Sequence, residues 1–159
     1  LCDRRQRQMC KETDTKGTDI SLSANDLTYG NYTNAITSGS FTIGASSSKN
    51  VAVLNRNTTV NGTSYSKVLQ MNGGGNSTGR YIKFTATGAC TVKVTAASTS
   101  TSASRTLRLA SGSVGGSTVG NATITGTPST VTYKIPSAGT YYLYSTGSGI
   151  YVYQVNVAY

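Results

Sequence analysis

Three stretches in the middle of the chain alternate strictly between apolar and polar residues: Tyr81-Ile82-Lys83-Phe84, Thr91-Val92-Lys93-Val94 and Thr106-Leu107-Arg108-Leu109. A period of two is that of a half-buried antiparallel strand, and the Gly and Ser residues that close each run are turn formers. Side chains on a strand alternate faces, so Ile82, Phe84, Val92, Val94, Leu107 and Leu109 are expected to share one core. Lys83, Lys93 and Arg108 should point the other way. Three consecutive strands of this kind predict a rigid sheet with a basic outer face.

The same reading extends along the chain. Asp19-Ile20-Ser21-Leu22 alternates as an edge strand would, and residues 24–27 read as a turn. Strands follow at Ser40-Phe41-Thr42-Ile43, Asn50-Val51-Ala52-Val53-Leu54 and Thr58-Thr59-Val60, separated by residues 44–49 and by Asn55-Arg56-Asn57. Asn61-Gly62 is the strongest hairpin signal, because both turn positions need positive φ. It joins the third of these strands to residues 64–71. The loop 72–79 is too glycine-rich to hold itself rigid. No Gly-Lys-Ser/Thr closes it and no helix follows, so it is expected to be a long hairpin loop rather than a phosphate cradle. Residues 96–104, a run of Ser, Thr and Ala, should link two strands across a sandwich, and residues 112–120 read as another loop. Closing strands are expected over 121–125, 130–135, 140–146 and 150–157, with Pro128 and Pro136 at strand boundaries. About eleven short strands, turn signals every eight to twelve residues and no convincing helix predict an all-β, two-sheet antiparallel sandwich.

Composition narrows the chemistry. The chain has 159 residues, enough for one domain with its own core. It contains no His and only five carboxylates, all in the first 26 residues: Asp3, Glu12, Asp14, Asp19 and Asp26. A Ser-His-Asp triad, a His-based zinc site and a pair of glycosidase carboxylates all need residues that are absent or nearly so. The chain is therefore expected not to be an enzyme. Net charge is +9, and after residue 16 nine Lys and Arg face two acids. Such a surface favours polyanions on charge alone. No apolar run reaches the length of a membrane span and no cleavable signal is present, so the sequence reads as a mature or excised domain, without a membrane partner.

Residues 1–16, LCDRRQRQMCKETDTK, differ in composition from the rest of the chain, with five of the 14 basic residues and two of the three Cys. A boundary is expected near Lys16-Gly17. A short helix over 4–11 would separate Cys2 from Cys10 by about 12 Å, beyond the ~7 Å reach of a disulfide. The pair can bridge only if the segment bends. The fragment Arg-Gln-Arg-Gln-Met-Cys-Lys is similar to an early cysteine-containing segment of Wnt ligands, which implies a peptide joined to a carrier domain and aimed at a protein partner. A vector or tag remnant is the alternative.

From 79 to 112, GRYIKFTATGACTVKVTAASTSTSASRTLRLASG, and again from 139 to 157, GTYYLYSTGSGIYVYQVNV, the chain resembles the β-sandwich accessory module found beside catalytic domains in bacterial pectate lyases and related secreted polysaccharide-degrading enzymes. The likeness runs over 41–157. It implies a jelly-roll-like, carbohydrate-binding-module-like domain, secreted and extracellular, without catalytic residues to carry over; a monomer is expected. It leaves the ligand open.

Carbohydrate sites stack sugar rings on aromatic faces, and acidic sugars add a demand for Lys or Arg. Trp is absent and 11 Tyr must serve. Alternation puts Tyr142 and Tyr144 on one face and Tyr151 and Tyr153 on one face of their strand, and one of these sets is expected in the core. The outward tyrosines, here Tyr81, Tyr142 and Tyr151, together with Lys67, Arg80, Lys83, Arg105, Arg108 and Lys134, form the candidate groove for a uronic-acid polymer. Taken singly, each of these residues reads as sandwich packing or as a solvated face. Nucleic acid would use the same residue types, but no nucleic-acid motif appears. A structural Ca2+ would have only Asp19, Asn25 and Asp26 to draw on. Cys90 reads as a small buried apolar residue, with no base nearby to activate it. The expected function is non-catalytic binding of plant cell-wall polysaccharide, acidic pectin favoured by charge. The alternatives are an inert carrier that displays residues 1–16, and a spacer without a ligand.

Overall fold

The computed structural model describes residues 17–159; the expectations for residues 1–16, including the state of Cys2 and Cys10, lie outside them. The described residues form thirteen strands: β1 (Ile20–Ser23), β2 (Gly30–Tyr32), β3 (Ile36–Ser38), β4 (Phe41–Gly44), β5 (Val51–Val60), β6 (Thr63–Met71), β7 (Tyr81–Ala86), β8 (Cys90–Ser98), β9 (Arg105–Ser111), β10 (Ser117–Ile124), β11 (Ser129–Ile135), β12 (Gly139–Ser145) and β13 (Ile150–Ala158). A single 3-10 turn, Ala24–Asp26, follows β1. Two antiparallel sheets face each other. Sheet A runs β11-β8-β13-β6-β5-β2, with β1 on the far half of β13, and sheet B runs β10-β9-β12-β7-β4-β3.

The core lies between the sheets. Val53, Leu69, Met71, Val92, Val94, Ile150 and Val152 meet Phe41, Ile43, Ile82, Phe84, Leu107, Leu109 and Leu143, all at most 1 % exposed. Phe84 lies 5.7 Å from Phe41 and 5.9 Å from Tyr141, centroid to centroid. Tyr133 of sheet A donates its hydroxyl to the Leu107 carbonyl of sheet B at 2.8 Å, which satisfies a polar group that would be costly to bury alone. Burial pushes the Tyr133 hydroxyl well above its ordinary pKa, and it also raises the Cys90 thiol.

The three alternating runs do share this core, but from opposite sides. β7 and β9 belong to sheet B and β8 to sheet A, so Lys93 points away from Lys83 and Arg108 and no single face carries all three. Alternation fixes which way a side chain points relative to the core, not which sheet its strand joins. The crossing expected over 96–104 is made by residues 99–104, between β8 and β9, while 96–98 continue β8. The loop 72–80 is also a crossing, from β6 to β7, not a hairpin loop, and it is anchored. Gly75 N–H bonds the Ser145 carbonyl at 2.9 Å, and Arg80, in the left-handed region at φ 62, turns its guanidinium back onto Asn50.

Asn61 (φ 50) and Gly62 (φ 80) make the expected tight turn of the β5–β6 hairpin. The segment Asn55-Arg56-Asn57 is not a break between strands. It is a bulge inside the ten residues of β5, with the register shifting between Asn55 and Thr58. A bulge bends its strand, and here the far half of the hairpin folds over the outer face of sheet A. Val60 and Tyr65 pack there with Val68, Ala97 and Tyr153 in a second, smaller core. The Asn61 amide at the tip reaches the Thr130 hydroxyl of β11 at 3.4 Å.

Candidate functional site

Four of the nine residues of the expected groove, Tyr81, Lys83, Arg108 and Tyr142, lie on the outer face of sheet B. On β7, Tyr81 and Lys83 point outward because Ile82 and Phe84 point in, and on β12 Tyr142 points outward because Tyr141 and Leu143 point in. Register sets them side by side: Lys83 lies opposite Tyr142 on one flank and Thr42 on the other, while Tyr81 lies opposite Gly44. A Cβ on Gly44 would overlap the Tyr81 ring, so the missing side chain is what lets that ring lie down on the sheet. Tyr142 meets Tyr81 edge to face, with centroids 5.3 Å apart and planes at 66°. This geometry suits the aromatic quadrupoles and is worth about 1 kcal/mol beyond burial.

Arg108 of β9 faces the same way on the other side of β12, opposite Tyr144 and Asn121. Its Nε donates to the Asn121 Oδ1 at 2.9 Å, which fixes the guanidinium plane. β7 and β9 are both neighbours of β12, so Lys83 and Arg108 stand on strands roughly 10 Å apart, with Tyr142 on the strand between them and Tyr81 on the strand of Lys83. The two carboxylates of the described residues sit elsewhere, at the start of β1 and in the 3-10 turn. The result is a flat, aromatic, positively charged platform.

Tyr144 shares this face but is 4 % exposed. Gly75 packs on its Cβ, and Gly115 N–H donates to its hydroxyl at 3.0 Å, so two loops roof it over. Neither expected pair of tyrosines lies between the sheets. The inter-sheet tyrosines are Tyr133 and Tyr141, and Tyr153 is buried under the β5–β6 hairpin.

The remaining residues of the expected groove are placed apart from the platform. Arg80 clamps Asn50 through its Nε at 3.1 Å. Arg105 has the inward parity of Leu107 and Leu109 and sits at the rim, with Nη1 on the Ser104 carbonyl and a buried Nε without a partner. Lys67 donates its ammonium to the carbonyls of Leu27 at 2.7 Å and Asn25 at 3.2 Å, tying the 3-10 turn to β6. Lys134 and Tyr151 belong to sheet A. Asn25 and Asp19 are likewise engaged: Asn25 Oδ1 accepts from Ser66 N and Lys67 N, and Asp19 accepts from Tyr159 N. Among the described residues no three His, Cys, Asp or Glu side chains converge. No helix among them is long and apolar enough to cross a membrane.

Sequence reasoning missed Gly44, Asn121 and Arg56. A lone Gly ending an alternating strand is a signal of close approach, whereas Arg56 was hidden in what looked like a gap.

No protein-family model and no curated protein matches the chain. Solved structures do match. One, from work on the Ruminococcus flavefaciens cellulosome and its expansion in glycan recognition, aligns at TM-score 0.56 with 14% identity, covering 90% of this chain and 95% of its own. Another is the CBM22-1 xylan-binding domain of Xyn10C from Paenibacillus barcinonensis, at TM-score 0.52 and 14% identity, covering 87% of this chain and 92% of its own. At this identity the likeness establishes the fold: this chain has the two-sheet sandwich of these carbohydrate-recognition domains.

Proposed function

We propose that the chain is a secreted, non-catalytic carbohydrate-binding module that holds a polysaccharide on the outer face of sheet B, with uronic-acid-containing polymers such as pectin favoured. The observation that carries this reading is the Tyr81 ring laid over Gly44 and braced edge-on by Tyr142. It offers a sugar ring an aromatic face at little entropic cost, because the ring is already held. Lys83 and Arg108 on either side supply the charge for a carboxylate, with Arg108 prealigned by Asn121. The xylan-binding neighbour supports polysaccharide as the ligand class, and the excess of cations supports acidic over neutral chains. Such a module would keep an attached enzyme near its substrate by raising effective concentration.

The test is calorimetric titration of the chain with polygalacturonate and with neutral xylan, each at low and at physiological salt. Saturable binding to polygalacturonate that survives physiological salt and is lost in Tyr81→Ala/Tyr142→Ala is the expected result. Binding to neither polymer, or binding that disappears with salt alone, would leave the sandwich as a carrier or spacer.

A further inference from the structure

The outer face of sheet A carries its own aromatic and cationic arrangement, away from the platform. The Arg56 guanidinium lies over the Tyr151 ring at 4.6 Å from its centroid, and its Nε donates to the Tyr153 hydroxyl at 3.1 Å. The β5 bulge places Arg56 there, and alternation along β13 turns Tyr151 and Tyr153 outward, opposite to the inward Ile150 and Val152. Arg56 is thus an exposed arginine whose plane is held by a ring beneath it and a hydroxyl beside it. With Nε occupied, the two Nη groups form the fork that matches a carboxylate. Beside it runs a shallow floor across the strands, set by the pairs Asn31–Ala52, Ala52–Gln70 and Gln70–Tyr151. Ala52, small and 3% exposed, lies recessed in this row, and Asn31 and Gln70 bring amides to either side of it. At its far edge, one residue before β2, stands Tyr29, 62% exposed. From β13 to β2 the floor spans three strand spacings, roughly 14 Å, the reach of a short oligosaccharide.

We infer that this groove is a second acidic-glycan site, taking a uronate carboxylate on Arg56 over Tyr151 and a neighbouring sugar ring against Tyr29, so that one sandwich binds polysaccharide on both outer faces and cross-links chains. The inference adopts the ligand class of the sheet B reading but uses none of its residues. A protein that grips polymer on opposite faces bridges chains, where a one-sided module only adheres to them.

The test compares the wild-type chain with Arg56→Ala/Tyr151→Ala and with Tyr81→Ala/Tyr142→Ala, titrated with a short oligogalacturonate and mixed with polygalacturonate under light scattering. Two binding equivalents are expected for the wild type and one for each variant. Cross-linking of the polymer should be confined to the wild type. Arg56→Lys, which keeps the charge and loses the fork, should weaken the sheet A site roughly tenfold. This exposed substitution leaves the buried Tyr153 in place and so separates binding from folding. Methyl-esterified oligomer should lose the sheet A equivalent. A single equivalent in the wild type that Arg56→Ala/Tyr151→Ala leaves unchanged overturns the inference. A single equivalent that this variant abolishes while Tyr81→Ala/Tyr142→Ala retains it keeps the sheet A site, but overturns the two-faced account and the sheet B reading.

Discussion

The two outer faces of the sandwich start from the same strand pattern and end differently. Sheet B leaves its face bare around Tyr81, Lys83 and Tyr142. Sheet A covers part of its face with its own β5–β6 hairpin and buries Tyr153 completely beneath it. The cause is local: β5 has a bulge at Asn55–Thr58 and folds back, whereas β7 and β12 pair without interruption from Ala86↔Gly139 to Ile82↔Leu143. An outward tyrosine therefore has two fates. Under a hairpin it becomes core, and beside a glycine it becomes surface.

Substitutions should separate these fates. The largest effect is expected from Tyr153→Ala, which empties the second core and should cost about 3–4 kcal/mol, read as a fall in denaturant midpoint. Platform binding should be unchanged in the variant that remains folded. Tyr81→Ala is expected to do the reverse, weakening polysaccharide binding by roughly thirtyfold, as loss of a central aromatic anchor does, with a stability loss of about 1 kcal/mol. Gly44→Ala should mimic it without touching an aromatic, since the new Cβ displaces the Tyr81 ring; titration calorimetry checks both.

A smaller effect concerns pH. Because burial raises the Tyr133 hydroxyl above its ordinary value of 10.0, the neutral phenol is the form the fold retains. Stability from this group is intact below pH 10 and erodes as pH climbs past it toward the folded value, because the unfolded chain ionises first. Tyr133→Phe should remove that part of the alkaline sensitivity while costing about 1 kcal/mol at neutral pH for the lost bond to Leu107, seen in thermal melts at pH 7 and above 10. Smallest of all, Lys83→Ala should weaken binding to polygalacturonate a few-fold and leave any binding to neutral xylan unchanged.

Much of this architecture was legible in the residues. Asn61-Gly62 announced its hairpin, the two prolines bracket β11, and the alternation of Ile82, Phe84, Leu107 and Leu109 located the core. Lys83, Arg108, Tyr81 and Tyr142 could be read as outward, and they come together. What could not be read was partnership between strands. Lys93 alternates just like Lys83 yet lies on the opposite face, because β8 joined the other sheet. Arg80 and Lys67 look like free cations in sequence, but Arg80 folds back onto Asn50 in a crossing loop and Lys67 onto the carbonyls of the 3-10 turn, contacts that only the tertiary fold brings near. The Arg56 stack depends on the register shift in β5, which leaves no mark in hydrophobic period.

Whether sugar rests on the outer face of sheet B is tested most directly by amide and side-chain NMR shifts of the chain, followed during titration with oligogalacturonate. Saturable perturbation of Tyr81, Lys83, Tyr142, Arg108 and the Gly44 amide is the predicted result. Saturable binding that leaves all five unmoved would contradict a sheet B site.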